Sequence, residues 1–495
     1  ELQVVATASA QQFGIRQYWS NAYTVDWGDN TLVEVLDDGG YGSAKHNYAA
    51  AGTYTVTLTS KLSQVQRWTW PEDNSDALLT DGDVADVSVS AFPAMRAFLA
   101  EGGRAEDGFF ENFNSGGGLS SLPAGSFDLS AVTEVGDEFF IGFNESGTFT
   151  TLPAGSFDTS NITKAGDDFF SYFCVDCALT SLPAGSFDLS GLTEAGDDFF
   201  LQFNGYTTPL ITTHSSLTSL PAGSFDISNI TKVGDSFFDS FTANNLLTSL
   251  PAGSFDTGNI ETAGDNFFSY FNFMGQLTGL PAGSFRLDKV ESGGMGFFVS
   301  FNENGMLTSL PAGSFNFPRI ESVPDTFFDG FNQNGQLTSL PAGSFRLEGI
   351  VSAGASFFDG FNEYGVLTSL PAGSFDTSNI VEVGIDCFNQ FNYEGMLTAL
   401  PDGSFDTSGI KLVDNGFFDY FNQFGAISYL PASFKWPADV LPTVDGFHSS
   451  FNSPGATLNV NVADLISNVG TPDERLYTFS PNQPGWDQLP ANWQG

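Results

Sequence analysis

Three histidines, three cysteines and 58 carboxylates are the groups in this chain best suited to chemistry, and their spacing decides how far each can go. His46, His214 and His448 lie far apart, so neither a nucleophile–base pair nor a zinc cluster assembles from them locally. His46 reads as structural and His448 as a capping residue. Ser408-Gly409-Ile410-Lys411 spells the Ser-x-x-Lys of serine acylases, but its companion motifs are absent and related positions of the chain carry unrelated residues. Cys174 and Cys177 form one isolated Cys-x-x-Cys, which reads as a local disulfide, a pair of inert thiols, or a metal or redox site. Cys387 stands where a phenylalanine is otherwise found, which suits a buried, unreactive thiol.

The carboxylates are more orderly. Asp128, Asp158, Asp188, Asp226 and Asp256 recur in register, and so do Asp137, Asp167, Asp197, Asp235 and Asp265. Stacked like charges repel by about 1 kcal/mol each in water, less in salt. Turn and capping roles explain both rows, each repeated because the unit repeats. The functional alternative is a row of weak Ca²⁺ sites at Asp128, Asp158 and Asp188, since oxygen ligands in flexible loops suit that ion. Asp26 and Asp29 are likewise turn formers first and cation ligands second. No other cofactor is implied. The first row switches to Arg286, Asn316 and Arg346 before returning at Asp376, either as a patterned contact surface or as relief from repulsion.

The elements that must position these groups follow from composition and periodicity. The chain has 495 residues, 41% of them apolar, with 15 Lys and Arg and a formal charge of −43. A large core is affordable, and a charge this negative argues against binding nucleic acid or docking on anionic lipid. No apolar stretch is long enough to span a bilayer. The start at Glu1 suits a processed N-terminus, though a trimmed chain would look the same.

Internal repetition dominates. The motif LTSLPAGSF recurs with its proline at Pro123, Pro153, Pro183, Pro221, Pro251, Pro281, Pro311, Pro341, Pro371 and Pro401, in steps of 30 residues save one of 38. A second motif, FFxxFN, runs in phase. In the unit 247–276, Leu247–Leu250 reads as a short strand entering a turn at Pro251-Ala252-Gly253-Ser254, after which Phe255 points inward. Ile260–Ala263 reads as a second strand, and Gly264-Asp265 as the break and cap of a two-turn helix burying Phe267, Phe268 and Phe271. No unit can bury those rings alone, so the units must stack. Strands pack at about 4.8 Å and helices at 8–10 Å, a mismatch that predicts a curved or twisted right-handed solenoid with strands on its concave side. The fold expected is a mixed β/α solenoid of about twelve units over 91–455, preceded by a β-sandwich over 1–70 and a linker or cap over 71–90. Residues 456–495 would form a terminal cap or a docking tail carrying Trp486 and Trp493, with Ala456–Val462 as a strand. The enlarged unit between Phe203 and Leu217 places Tyr206, Thr208, Pro209 and Ile211 in a candidate binding loop, a neutral insertion being the alternative.

SFDTSNITKAGDDFFSYF followed by LTSLPAGSF resembles the BspA-type leucine-rich repeats of bacterial surface proteins, with Phe pairs and Asn where that family often has other residues. VDWGDN with HNYAAAGTYTVTLT resembles the PKD domain. The resemblances imply a secreted, surface-exposed solenoid for adhesion or interaction, and no enzyme activity. The expected function is therefore adhesive or structural, with self-association in a layer, matrix or filament and a protein or glycan partner on a surface. The alternative is a carbohydrate- or receptor-binding module of a bacterial surface or phage appendage. That reading calls for aromatic residues facing solvent on consecutive units, where the sequence shows mostly Ser, Thr, Asn and Asp.

Overall fold

A computed structural model of the chain describes residues 2–6, 11–19, 23–36, 40–60, 88–89, 104–105, 107–108, 110–113, 115, 129, 132–154, 156–157, 159–205, 215–411, 413, 415–437, 450–465, 478–489 and 491. The chain divides into two compact units, Glu1–Ile230 with Asn245–Leu247, and Thr231–Asn244 with Thr248–Gly495.

The first unit opens with antiparallel strands, as its alternating sequence requires. These are β1 (Leu2–Ala6), β2 (Gln11–Trp19), β3 (Tyr23–Asp26), β4 (Glu34–Leu36), β5 (Gly40–Tyr48), β6 (Gly52–Ser60) and β7 (Ser88–Val89). Five of them pair in the order β4-β3-β6-β1-β7, and β2 pairs with β5 alone. The edge strand β7 comes from within the segment 71–90 expected as a linker. Gly28, at φ +77°, lies so close to β6 that a Cβ there would collide with the backbone of Thr55.

Beyond β7 the first unit consists of stacked coils. Strands β8 (Arg104–Ala105), β9 (Glu134–Val135), β10 (Lys164–Ala165) and β11 (Glu194–Ala195) pair in parallel, one from each coil. Strands β9, β10 and β11 each expose a charged residue and bury an apolar one; Lys164 stands between Glu134 and Glu194, so this exposed row alternates in sign. The second unit repeats the arrangement with β12 (Lys232–Val233), β13 (Ser322–Val323), β14 (Ser352–Ala353) and β15 (Glu382–Val383), and with bridges from Lys232 to Thr262 and Thr262 to Ser292. The second strand expected in each unit is present as two residues in several coils and only as a single-residue bridge at Thr262, in the unit 247–276, and at Ser292. The Leu-Thr-Ser-Leu segment is not a strand; its threonines link coils instead, as in Thr338 Oγ1 donating to the Thr308 carbonyl at 3.2 Å.

The helix expected over each FFxxFN segment does not form, and the reason is the spacing mismatch itself. Helical coils would have to stand 8–10 Å apart. The segment is instead a chain of tight turns whose alternate N–H groups reach the next coil: Asn266 to the Met295 carbonyl, Phe268 to Phe297, Tyr270 to Val299 and Asn272 to Phe301, at 2.7 to 2.9 Å. Every fourth residue takes a left-handed backbone, at Asn266 (φ 53°), Tyr270 (φ 51°) and Met274 (φ 50°). That conformation costs roughly 1–2 kcal/mol per residue, offset here by the hydrogen bonds it aims and the rings it aligns. Within each unit the described coils then stack at the spacing their backbone hydrogen bonds set.

The rings confirm that separation. Phe328 stacks on Phe358 at 5.0 Å and 3°, and Phe268 on Phe298 at 5.7 Å and 4°. Phe255, Phe285, Phe315, Phe345, Phe375 and Phe405 form a second column, edge-on to the first, and all are fully buried. Beside them runs a ladder of buried amides: Asn272 donates to Asn302, Asn302 to Asn332, Asn332 to Asn362, Asn362 to Asn392 and Asn392 to Asn422, at 2.8 to 3.2 Å. The Oδ1 of Asn272, Asn302, Asn332, Asn392 and Asn422 also accepts from the backbone five residues on, as Asn302 does from Leu307 at 3.2 Å.

Two spacings in the repeat follow from these ladders. Glycine stands three residues after each ladder asparagine because a Cβ at Gly305 would collide with Asn302 Oδ1. Asp265 caps no helix; its carboxylate accepts the Met295 N–H of the next coil at 2.7 Å, as Asp137 accepts that of Asp167 at 3.0 Å. The carboxylate occupies the space where the next coil's Gly294 or Gly166 would carry a side chain. Where the row carries Met295 rather than Asp, the next coil has Pro324 in the glycine position.

At the end of the second unit, Ala456–Val462 is not a strand. Asn459 bonds back to Leu430 through both side-chain atoms, and a one-turn helix α1 (Val462–Leu465) begins at Val462. Phe479 and Leu489 are buried, with Phe479 5.9 Å from Phe451, so residues 478–489 cover the last coil.

Replacing Asn332 by Leu tests the amide ladder. It strands the Asn302 amide, the Asn362 oxygen and the Leu337 N–H, at about 1–3 kcal/mol for each buried group left unpaired. Urea denaturation should show a large loss, whereas Thr338→Val, at an exposed hydroxyl, should stay within about 1 kcal/mol of the parent.

Candidate interaction surface

The groups singled out for chemistry are mostly engaged in holding the backbone. Asp26 accepts the Gly28 N–H at 2.9 Å, and Asp29 accepts the Thr31 N–H and hydroxyl together with Nε2 of His46 at 2.7 Å. Burial raises the Asp29 pKa, but the bonds from Thr31 and His46 outweigh it and draw the group down to about 2. His46 stacks on Trp27 at 5.2 Å and meets the edge of Tyr48 at 4.8 Å, which is the structural role its sequence context suggests. Asp188 closes a turn onto the Ser190 N–H and hydroxyl. Asp128 and Asp158 lie outside the described residues. Among the described residues, no three His, Cys, Asp or Glu groups come together as metal ligands.

Ser408 gives its hydroxyl and N–H to Asp406, and the Lys411 N–H goes to the Val381 carbonyl, so the Ser-x-x-Lys spacing serves one turn within the coil and one bond to its neighbour. Cys174 and Cys177 are joined in a disulfide with Cα atoms 5.1 Å apart, which decides among the three readings of that motif. They occupy the Asn and Gly positions of the ladder corner, so a covalent bond stands where other coils have an amide and a glycine. Cys387 is buried and its thiol pKa is pushed up by burial, then by the neighbouring Asp359. Trp486 is half-buried in a 3₁₀ turn, Trp486–Gln488, next to the covered end of the second unit. Trp493, His214, His448 and the loop residues Tyr206, Thr208, Pro209 and Ile211 lie outside the described residues.

The break in the aspartate row is locally balanced. Arg286 lies 3.3 Å from Asp288, Arg319 3.4 Å from Glu291 and Arg346 3.9 Å from Glu348. In the aspartate units the residue two positions on is a serine or glycine whose N–H the carboxylate accepts, as at Ser228 and Gly258. In the arginine units an acid replaces it.

What sequence reasoning missed lies at the corners between ladder asparagine and glycine in the second unit. These corners read Asn-Glu-Tyr-Gly, Asn-Tyr-Glu-Gly and Asn-Gln-Phe-Gly over 362–365, 392–395 and 422–425. With the asparagine and glycine both turned into the ladder, Tyr364, Glu394 and Phe424 are exposed between them, while Glu363 is buried. Tyr364 is 45% exposed and Phe424 54%, with Tyr393 half-buried between them. Their rings meet edge to face, Tyr364–Tyr393 at 5.4 Å and Tyr393–Phe424 at 6.1 Å. Met396 and Tyr420 are exposed beside them. Three successive aromatic corners were visible in the sequence, but a helix placed over this segment hid which way they face.

Behind the surface lies a row of half-buried acids. Asp359 is pushed up to about 8, first by burial and then by the charges of Asp329, Asp386 and Glu363, against a bond from Asn389. Asp329 is raised to about 6 by burial and by Glu303 and Glu363. Burial also raises Glu363, opposed by a hydrogen bond from Gln333.

No protein-family model matches the chain, and no curated protein matches it. Among solved structures, it is similar to a leucine-rich repeat protein from Eubacterium ventriosum ATCC 27560, at 16% identity over 70% of this chain and 92% of that one, with a TM-score of 0.18. A superposition that loose carries no argument about fold or function. The repeat fold rests on its own coil-to-coil bonds.

The raised acids set a pH dependence. Asp329 and Asp359 hold protons in the folded chain that the unfolded chain has lost above the ordinary aspartate value of 3.8. Stability from these groups is full below that value and falls as pH rises towards 8. Thermal melting should therefore shift downward between pH 5 and 8, and Asp359→Asn, which copies Asn389 one coil later, should flatten that slope and raise the midpoint at pH 8. A midpoint unchanged by the substitution would contradict this.

Proposed function

We propose that this protein is a non-catalytic repeat scaffold of the extracellular space, adhesive or structural, which acts through its exterior. The observation that carries this reading is how the polar groups of the repeat are used. In coil after coil, amides, hydroxyls and carboxylates bond to the neighbouring coil, and phenylalanine fills the space between. An interior so occupied leaves recognition to the surface, and a surface repeated at one interval suits multivalent contacts. The Cys174–Cys177 disulfide supports an oxidising compartment. A net charge of −43 favours a saline or cation-rich setting and keeps the protein soluble.

Self-association in a layer, matrix or filament fits the same repetition, with Ca²⁺ acting as a bridging or screening ion between acidic faces rather than as a resident cofactor. The second reading, a receptor- or glycan-binding module, draws support from Tyr364, Tyr393 and Phe424. Electron microscopy and light scattering of the purified protein, with and without millimolar Ca²⁺, separate the two. Ordered assemblies are expected if the scaffold polymerises. Dispersed monomers under every condition would remove the assembly part of the proposal.

The disulfide offers a second test. Cys174→Asn with Cys177→Gly restores the corner found in other coils, so the double variant should fold and melt close to the parent, whereas Cys174→Ala with Cys177→Ala should lose about 1–2 kcal/mol or more. Equal behaviour of the two variants in denaturation would argue against the interchange of bond and amide.

A further inference from the structure

We propose that the corner strip of Tyr364, Tyr393 and Phe424, with Glu394 set among the rings, is a docking site for a cationic segment of a partner protein, one that presents lysine or arginine side chains in succession. The inference rests on the scaffold reading above and names the chemistry of its partner.

Three observations converge. The first is exposure where the fold has a cheaper option. In the two preceding coils the same corner is filled by polar residues, Asn334 donating to Asn304 at 2.5 Å, whereas the corner before them carries Phe273 and Met274, both half-buried. Here it carries Tyr364 and Phe424, 45 and 54% exposed, with Met396 exposed just past Gly395, and contiguous exposed apolar residues of this kind mark interaction sites. The second is rigidity. The Tyr364 N–H bonds to the Tyr393 carbonyl at 2.8 Å and the Glu394 N–H to the Gln423 carbonyl at 2.9 Å, so the rings ride on the inter-coil ladder and lose little freedom on binding. The third is charge. Residues 347–410, which hold Tyr364 and Tyr393, contain no lysine, arginine or histidine and nine carboxyl groups, of which Asp359 is drawn towards its protonated form. Glu394 is exposed next to Tyr393, and its charge is felt at Tyr364.

Together these choose the occupant. A lysine or arginine over a tyrosine or phenylalanine face gains from the ring quadrupole, and the surrounding carboxylates draw it in and steer its approach. A second copy of this chain, at −43, meets repulsion over the same field, and a neutral glycan gains nothing from it. The edge-to-face arrangement of successive rings provides several positions at one coil spacing, which matches an extended segment better than a single residue.

The test uses the full chain and fluorescein-labelled decalysine and deca-arginine as probes, followed by anisotropy at low and high salt. The variants are Tyr364→Ser with Phe424→Ser, then Glu394→Gln, and as a control Glu291→Gln with Glu321→Gln on distant coils. The ring variant should weaken deca-arginine binding about tenfold at moderate salt, in line with two cation–π contacts. Glu394→Gln should weaken it several-fold, and the control by less than about twofold. Equal affinity for the ring variant and the parent would overturn the proposal, since binding would then be diffuse polyanion attraction. So would a neutral hexasaccharide whose binding depends on the rings while that of the peptides does not. Either result would leave the scaffold reading intact, because the assembly part of that reading is tested separately, by microscopy and light scattering. Unchanged melting of the ring variant, expected for exposed residues, excludes unfolding as the cause of any loss.

Discussion

The separation of about 5 Å between successive coils is the constraint from which the rest of this structure follows. Backbone hydrogen bonding between parallel segments fixes that distance, and stacked phenyl rings accept it, as Phe328 and Phe358 do at 5.0 Å. Anything bulkier than a flat ring or an amide, repeated at that interval, would force the coils apart. The inner column is therefore phenylalanine and the polar column asparagine, whose side chain can donate to one neighbour and accept from the other in the same plane. The left-handed residues at every fourth position are the conformational cost of aiming alternate N–H groups along the stack.

Much of this was legible in the residues. The thirty-residue period, the inward face of Phe267, Phe268 and Phe271, the turn at Pro251–Ser254 and the bridged segment ending near Ala263 all follow from local pattern. The helix was misread because Phe at i, i+1 and i+4 is compatible with a helical face, and a single unit contains no information about its neighbours. Only the requirement that every layer share one spacing rules the helix out. The Gly-Asp pair was misassigned for the same reason. Read within one coil, it is a break and a cap; across two coils, each aspartate fills the space that the next coil's glycine leaves open. The switch to Pro324 after Met295 was the available clue, and it becomes visible only when residues thirty apart are compared.

Charge is distributed under the same constraint. Repeating a coil repeats its carboxylates at a fixed interval, so a −43 chain must relieve its own repulsion. Three devices are visible. Exposed strand positions alternate Glu134, Lys164 and Glu194. The Arg286 and Arg346 units place an acid two residues on and reverse the polarity of the turn. Where neither is used, as around Asp359, burial and like charge favour the protonated acid instead. The first two act at any pH near neutrality, while the third makes part of the array sensitive to pH.

The acidic coils and the aromatic corners coincide in one stretch of the second unit, and that coincidence has a physical logic. A corner residue lies outside the ladder, so it is free of the spacing rule that governs every interior position. Selection can change it without disturbing the stack, which makes the corners the places where one coil can differ from the next at little structural cost. Tyr364, Tyr393 and Phe424 use that freedom on consecutive coils, the first two in a stretch, 347–410, without lysine, arginine or histidine. A purely structural array gains nothing from exposing three aromatic groups there, since exposed apolar surface is unfavourable in water. The uniform interior supplies the spacing, and the corner is where one coil can be told from the next.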